Sequence, residues 1–300
     1  MSSYRYGFNG KEKEGSDWNE NYDFGARIYD PRIARWLSVD PKAVSFPSET
    51  AYSFAGNSPL YFTDPSGGFK VPIHKDITLL AYAYAMGHSS IAWAKEQFFG
   101  PDLAYGVGEH SDWFHPLDEG RHFDGMDFNA INNNWQGLNK EIDNINIGWF
   151  NKSAGGWDVV QLGKSLHAVQ DFYSHSNYVE LYIEYYRKNN NDAMPAIGEI
   201  PTYDEVVENT EKYADFSNTY LKPRLHTGDF GGAGYVLDKE KDIQETHEKG
   251  KDHHDDLAKD DLSMGKKVTN SKGETLNTHT AARDVATRHS TKIIKKKLNE

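Results

Sequence analysis

WDVVQLGKSLHAVQDFYSH, residues 157–175, is the stretch from which the fold is read. Leu162, Leu166, Val169 and Phe172 recur at intervals of three and four, which places them on one face of an α-helix. His167 and Asp171 stand four apart and so share a face, with His175 one turn further on. Imidazoles and a carboxylate in that arrangement suit a borderline metal such as zinc. Asp171 has two oxygens and is able to bridge two ions. A bare His-x-x-x-Asp reads more simply as a surface helix with incidental histidine. His175 and the apolar flank turn the reading toward a metal site.

Outward from that helix, the same periodicity marks residues 74–86, 89–99, 177–188, 203–216 and 279–298 as helices. The intervals are rich in Gly, Asn and Asp and read as loops. Residues 239–275 are strongly charged and read as including a mobile segment. The part from residue 69 to 300 is therefore expected to be all-α. Residues 1–68 differ in character: Tyr, Gly, Asn and Pro are dense, and Asp-Pro recurs at Asp30-Pro31, Asp40-Pro41 and Asp64-Pro65. Such turn signals predict β-hairpins, with short strands at 26–30 and 35–40. So short a stretch reads as the end of a longer β structure.

All 13 histidines lie after residue 73. EHSDWFHPLDEGRHFDGMD (109–127) places Asp112, His115, His122 and Asp124 in a Gly/Asp-rich loop, where sites held by a rigid scaffold are common. For His115, Asp118 and Asp127 the simpler reading is an acidic solvated loop. His74 opens the first amphipathic helix and alone would read as a helix-terminus residue. HHDDLAKDD (253–261), as a bare charge run, would read as solvated chain.

With 37% apolar and 13% aromatic residues, the chain can bury a core. Its formal charge of −12 disfavours a protein that grips nucleic-acid phosphates, since counterion release there needs a basic face. The basic run KIIKKKL (292–298) reads as a solvated helix end, so no strong nucleic-acid patch is expected. With no cysteine there is no disulfide frame and no thiolate zinc site, which leaves His, Asp, Glu and main-chain groups as metal ligands. The N-terminus has no apolar h-region and no run of 18 apolar residues occurs, so neither a signal peptide nor a transmembrane helix is expected in this fragment. A secreted or delivered chain of this kind would depend on an external export apparatus.

YGFNGKEKE (6–14), DFGARIYDPRIARWLSVDP (23–41) and AYSFAGNSPLYFTDPSGG (51–68) resemble the C-terminal end of the RHS repeat-associated core, over about residues 4–68. The resemblance implies a shell that wraps a variable C-terminal toxin and cuts itself at an Asp-Pro-x-Gly signature. Here that signature is Asp64-Pro65-Ser66-Gly67, and Asp30 and Asp40 match the family's acidic positions. It also implies two further partners: the upstream RHS shell, and an immunity protein.

LGKSLHAVQDFYSHSNYVEL (162–181), SDWFHP (111–116) and GRHFD (120–124) are together similar to the zinc-dependent phospholipase C superfamily, and to its Het-C branch most of all. This second resemblance spans roughly residues 69–290. It implies a helical bundle of the phospholipase C type holding two or three zinc ions. Ligand roles carry onto Asp112, His122, His167, Asp171 and His175. His254-x-x-Leu257-x-Lys259-Asp260 is similar to a Het-C motif and adds His254. The phospholipases place a Glu one turn after that late histidine; position 258 is Ala, so Asp260 or Glu180 is the substitute. The nuclease branch has a His five positions after a freed aromatic N-terminus, which matches His74 to Phe69. Cleavage between Gly68 and Phe69 would then create a ligand.

The expected function is that of the C-terminal toxin domain of an RHS-type polymorphic toxin. It would hydrolyse phosphodiesters with a metal, phospholipase C-like, on membrane lipids, with Asp112 as base. Trp113, Phe114, Phe123, Tyr173 and Tyr178 are candidates to contact lipid glycerol or a base, most of them reading as core. Two alternatives stand beside this: a nuclease on the same zinc scaffold, and a non-enzymatic Het-C-like module that binds metal and acts through a partner or a membrane surface.

Overall fold

In the computed structural model, residues 13–14, 21–23, 27–39, 50, 52, 73–97, 99–107, 122–147, 157–229, 239–260 and 264–299 are described. The chain divides into two compact units, Met1–Val71 and Pro72–Glu300. The expected boundary at 68/69 lies outside the described residues, as do Asp40, Asp64, Pro65, Gly67, Phe69 and Asp112.

In the first unit, β1 (Lys13–Glu14), β2 (Asn21–Asp23), β3 (Ile28–Asp30) and β4 (Arg35–Trp36) form an antiparallel meander in that order. The register sets Tyr22 against Tyr29 and Tyr29 against Trp36. Cross-strand aromatic pairs are the unit of sheet stability, and these three rings are buried. Asp30 closes the turn between β3 and β4. Its Oδ1 accepts from the Arg32 amide and Nε, each at 2.9 Å, and its Oδ2 accepts from Nη2 at 2.5 Å. The Arg32 hydrogen bonds hold the Asp30 carboxyl at about 2. This is the contact set of a turn-closing aspartate.

The second unit is mainly helical: α1 (Ile73–Ala85), α2 (Ile91–Lys95), α3 (Phe99–Tyr105), α4 (Phe128–Asn144), α5 (Trp157–His175), α6 (Tyr178–Asn189), α7 (Tyr203–Glu208), α8 (Ala214–Phe216), α9 (Lys222–Arg224), α10 (Lys239–Glu248), α11 (His254–Leu257) and α12 (Thr278–Asn299). α5 is buried on every face from Leu162 to His175, which makes it the axis around which α1, α3 and α12 pack. Two glycines set its distance from α3. A Cβ at Gly163 would sit 2.4 Å from the Leu103 carbonyl oxygen, and one at Gly106 would sit 2.2 Å from that of Val160. On the side of α4 and α12, Phe172 meets Phe123, Trp135 and Tyr203, with His289 stacked on Trp135.

Four expectations change. The predicted helix 89–99 is two helices: it starts after the N-cap Ser90, whose hydroxyl accepts from the Trp93 amide, and it breaks where Gln97 Nε2 takes the Trp93 carbonyl. The predicted helix 203–216 ends at Asn209, whose side chain donates to the Glu205 carbonyl and so competes with the next helical bond. In the sequence α4 falls in one of the Gly-, Asn- and Asp-rich intervals that read as loops, and asparagine is a poor helix former. Its buried residues Ile131, Trp135, Leu138 and Ile142 nonetheless keep the 3–4 spacing, and Asp127 caps it through the Ala130 amide at 2.9 Å. Finally, the second unit is not all-α. Residues 239–275 contain α10 and α11 and most of an antiparallel hairpin, β5 (Lys267–Thr269) with β6 (Thr275–Asn277).

In the basic run at the end of α12, Lys292, Lys295 and Lys296 are exposed, as expected of a solvated helix end, while the run is also tied down at several points. Lys297 is buried and donates to the Asp143 carbonyl at 3.0 Å, Lys296 pairs with Asp143 at 2.6 Å, and Lys292 pairs with Asp204 and Glu208.

Candidate metal centre

α5 presents His167, Asp171 and His175 on successive turns, and all three are buried. A buried carboxylate is costly unless it is paired, and Asp171 is paired at both oxygens. Oδ2 lies 2.8 Å from His122 Nδ1 and 3.0 Å from His167 Nε2. Oδ1 lies 3.1 Å from His74 Nε2 and 3.8 Å from His175 Nε2. Burial by itself would raise the Asp171 carboxyl. The charges of His167 and His74, with hydrogen bonds from His122 and His167, hold it well below the usual carboxylate range.

Asp260 closes the Oδ1 side. Its Oδ2 is 3.2 Å from His175 Nε2, and its Oδ1 is 3.7 Å from His74 Nε2. Its packing would raise the carboxyl, but His175 and His74 bring it below the ordinary value. With 32% of its side chain exposed, Asp260 marks the side of the cluster open to solvent. His254 stacks on His175 with ring centroids 3.8 Å apart. Glu180, the other substitute ligand, pairs with Lys259 at 3.3 Å instead.

A tetrahedral ion with bonds of about 2.0–2.1 Å spaces its ligand atoms by roughly 3.3 Å. The gaps around Asp171 run from 2.8 to 3.8 Å, bracketing that spacing, and His122 Nδ1 and His167 Nε2 are 3.3 Å apart. His74, His167 and Asp171 form a buried cluster able to hold a metal ion, one ligand atom from each lying within 4.8 Å of the others. Two buried atoms on the other side, His175 Nδ1 and Asp260 Oδ1, have no hydrogen-bond partner among the described residues.

The structure therefore brings together His74, His122, His167, Asp171, His175, His254 and Asp260. Asp112 and Phe69, along with His115, Asp118, Trp113 and Phe114, lie outside the described residues. Phe123, Tyr173 and Tyr178 are fully buried in the core.

Three features were not read from the sequence. The first is His226–Asp229. Thr227 N bonds the Met126 carbonyl, Gly228 N that of His175, Gly125 N that of Gly228, and His254 N that of Asp229, all at 2.8–3.0 Å. This one extended segment holds the chain near His122, the end of α5 and the start of α11 side by side. A Cβ at Gly228 would stand 2.5 Å from His254 Cα. The second is Phe123, which adopts φ 53° directly after His122. An L-residue pays roughly 1–2 kcal/mol there, offset by burying the ring against Trp135 and Phe172. The third is His253. It caps α11, accepting from the Asp255 amide, while its own amide donates to Asp256. The His253–His254 pair is thus split between a cap and the cluster. Only the dipeptide itself signalled this in the sequence.

The sequence profile of the VWA7 N-terminal domain matches residues 110–297, a span that includes His122, α5, His254 and Asp260. No curated protein and no solved structure matches the chain.

Proposed function

The chain belongs to the VWA7 N-terminal domain family, and we propose that in this member the domain is a zinc-dependent phosphodiesterase, phospholipase C-like, with membrane lipids as substrate. The observation that carries the reading is Asp171, a buried carboxylate with imidazoles against both oxygens. His74, His122, His167 and Asp171 would hold metal at the buried heart of the cluster, with His175, His254 and Asp260 beside them as further ligands. The all-nitrogen-and-oxygen donor set and the spacing suit zinc. When bound, such ions lower the pKa of a coordinated water and neutralise charge on phosphate oxygens.

The chain's own contribution is to fix these side chains in a dry setting. Asp260, at the open side, is where a phosphodiester would approach, and Asp112 is the proposed base. The wider setting of this proposal is a phospholipase C-type bundle delivered as the toxic end of an RHS shell, with an immunity protein as partner. It rests on the resemblance of residues 4–68 and 69–290. Among the described residues no helix is long and apolar enough to cross a membrane.

The test is elemental analysis of the purified protein beside Asp171→Asn, followed by incubation with phosphatidylcholine liposomes and with single-stranded DNA. The expected result is bound zinc, two or three ions as the resemblance implies, and phosphorylated headgroup release, both lost in Asp171→Asn. Protein without zinc would end the proposal. Cleavage of DNA alone would make it a nuclease, and zinc without hydrolysis a metal-holding interaction module.

A further inference from the structure

Tyr173 stands on α5 with its hydroxyl between two other helices. The oxygen accepts from the Tyr203 amide, in the first turn of α7, at 2.8 Å, and lies 2.8 Å from His289 Nδ1 on α12. His289 Nε2 lies 3.4 Å from Asp204 Oδ1, and Lys292 and Thr202 donate to the same carboxylate. Trp135 on α4 covers the imidazole, with ring centroids 5.2 Å apart and planes 13° from parallel. Tyr173 is 0% and His289 2% exposed, so bulk water does not replace these bonds.

A backbone N–H only donates, so the Tyr203 amide takes one lone pair of the phenol oxygen and fixes the order of the chain. Burial holds the Tyr173 phenol well above its ordinary value, so the hydroxyl keeps its hydrogen and directs it to Nδ1. The ring hydrogen then lies on Nε2, toward Asp204. The order carboxylate, imidazole, hydroxyl is that of a nucleophile triad, but no substrate reaches a phenol that is fully buried. The chain instead ties α5, α7 and α12 together. A proton added at Nδ1 turns that bond around and leaves the phenol hydrogen with no acceptor among the described residues. A buried donor without a partner is costly. Burial likewise pushes the His289 ring below its ordinary value; Asp204, Glu205 and Glu208 on α7 oppose that, and Lys292 on α12 adds to it. Arg288, beside the ring in sequence, is taken up by Asp284 and the Ile200 carbonyl.

We propose that Tyr173, His289 and Asp204 form an acid-sensitive latch, closed while the His289 ring is neutral and released when it takes up a proton. Release frees the start of α7 and the middle of α12 from α5. Neither His289 nor Tyr173 is a ligand of the candidate metal centre, and the latch stands whether or not that centre holds an ion. A histidine whose folded value is depressed favours the open chain as pH falls below its ordinary value near ~6.5, because the open chain then binds more protons.

The test uses the full chain. Backbone amide exchange of α7 and α12, read by mass spectrometry and corrected for the intrinsic rate, is compared at about pH 7.5 and about pH 5.5 in wild type and His289→Gln. Glutamine is neutral at both and still able to meet Tyr173 and Asp204. Protection in the wild type should fall about tenfold further than in the variant, a decade for the pH unit below ~6.5 over which only the open ring ionises. Exchange of the carbon-bound imidazole hydrogen of His289 in the wild type, which needs no variant, gives the pH at which the ring ionises, and this should lie below ~6.5. A packing role alone would make both helices exchange faster in His289→Gln with the same pH dependence as wild type, and that outcome overturns the proposal. A ring that ionises at its ordinary value while α7 and α12 stay protected overturns it too.

Discussion

Lys259 is buried, and its ammonium donates to the carbonyls of Ser176 at 2.6 Å and Leu257 at 2.8 Å, with Ser174 at 3.4 Å and Glu180 Oε1 at 3.3 Å. Burial lowers its pKa, and Glu180 works against that shift. The Ser174 and Ser176 carbonyls flank His175 at the end of α5, where a cation also complements the helix dipole. Its neighbour Asp260 meets the same histidine, so one side chain links the two segments that form the open side of the cluster. Breaking a buried charge pair from one side costs about 3 kcal/mol or more. Lys259→Met should therefore lower the melting temperature by roughly 6–12 °C in calorimetry, at about 2–4 °C per kcal/mol for a unit of this size. An unchanged melting temperature would mean the ammonium contributes nothing net. In the sequence Lys259 stood out only as a letter of a family motif, because a surface lysine and a buried one look alike until their carbonyl partners are placed.

At the scale of elements, the extended segment His226–Asp229 and the hairpin β5–β6 both do work that their composition does not announce. Gly228 touches backbone rather than a flexible side chain, so Gly228→Ala forces the α11 strand of contacts apart at a cost of about 1–3 kcal/mol. Zinc uptake should fall along with stability, because His175 and His254 are aligned through this segment. Uptake at wild-type levels would show that the segment is not needed for alignment. The hairpin is anchored by Asp192, which lies just past the end of α6. Asp192 Oδ2 accepts from the Ser271 amide at 2.7 Å and Oδ1 pairs with Arg187 at 2.6 Å. The Ser271 and Arg187 contacts lower its pKa to about 2. A depressed carboxyl stabilises the fold above its unfolded pKa near ~3.9, and that stability is lost as pH falls through the folded value. Asp192→Asn should melt below wild type at pH 6, the gap narrowing from about pH 4 downward and closing only below about pH 2. A gap undiminished at pH 2 would assign the effect to something other than this charge.

For the whole molecule, the proposed metal uptake would be coupled to folding, since four imidazoles converge on one carboxylate only when α1, α5 and the chain near His122 are packed together. A ligand that binds only the folded state adds about 2.7 kcal/mol at 100 times its dissociation constant. Calorimetry should show a melting temperature raised by roughly 5–10 °C with zinc and lowered by chelator, with Asp171→Asn indifferent to both. Equal response in the variant would place the metal elsewhere. Much of this coupling is invisible in one dimension. α4 was hidden by its asparagines although its apolar spacing was present, and the hairpin was hidden by a charged stretch.

The amino-acid order alone determined α5 and the sharing of one face by His167 and Asp171. Both follow from 3.6 residues per turn, a property of neighbouring residues. Only the tertiary structure decided which distant groups meet Asp171, and that the carboxylate divides its oxygens between two sets of imidazoles. It also decided that Gly228 and Lys259 hold those groups in place. Such choices depend on close backbone approach and on buried polar atoms finding partners far along the chain, and no local pattern encodes them.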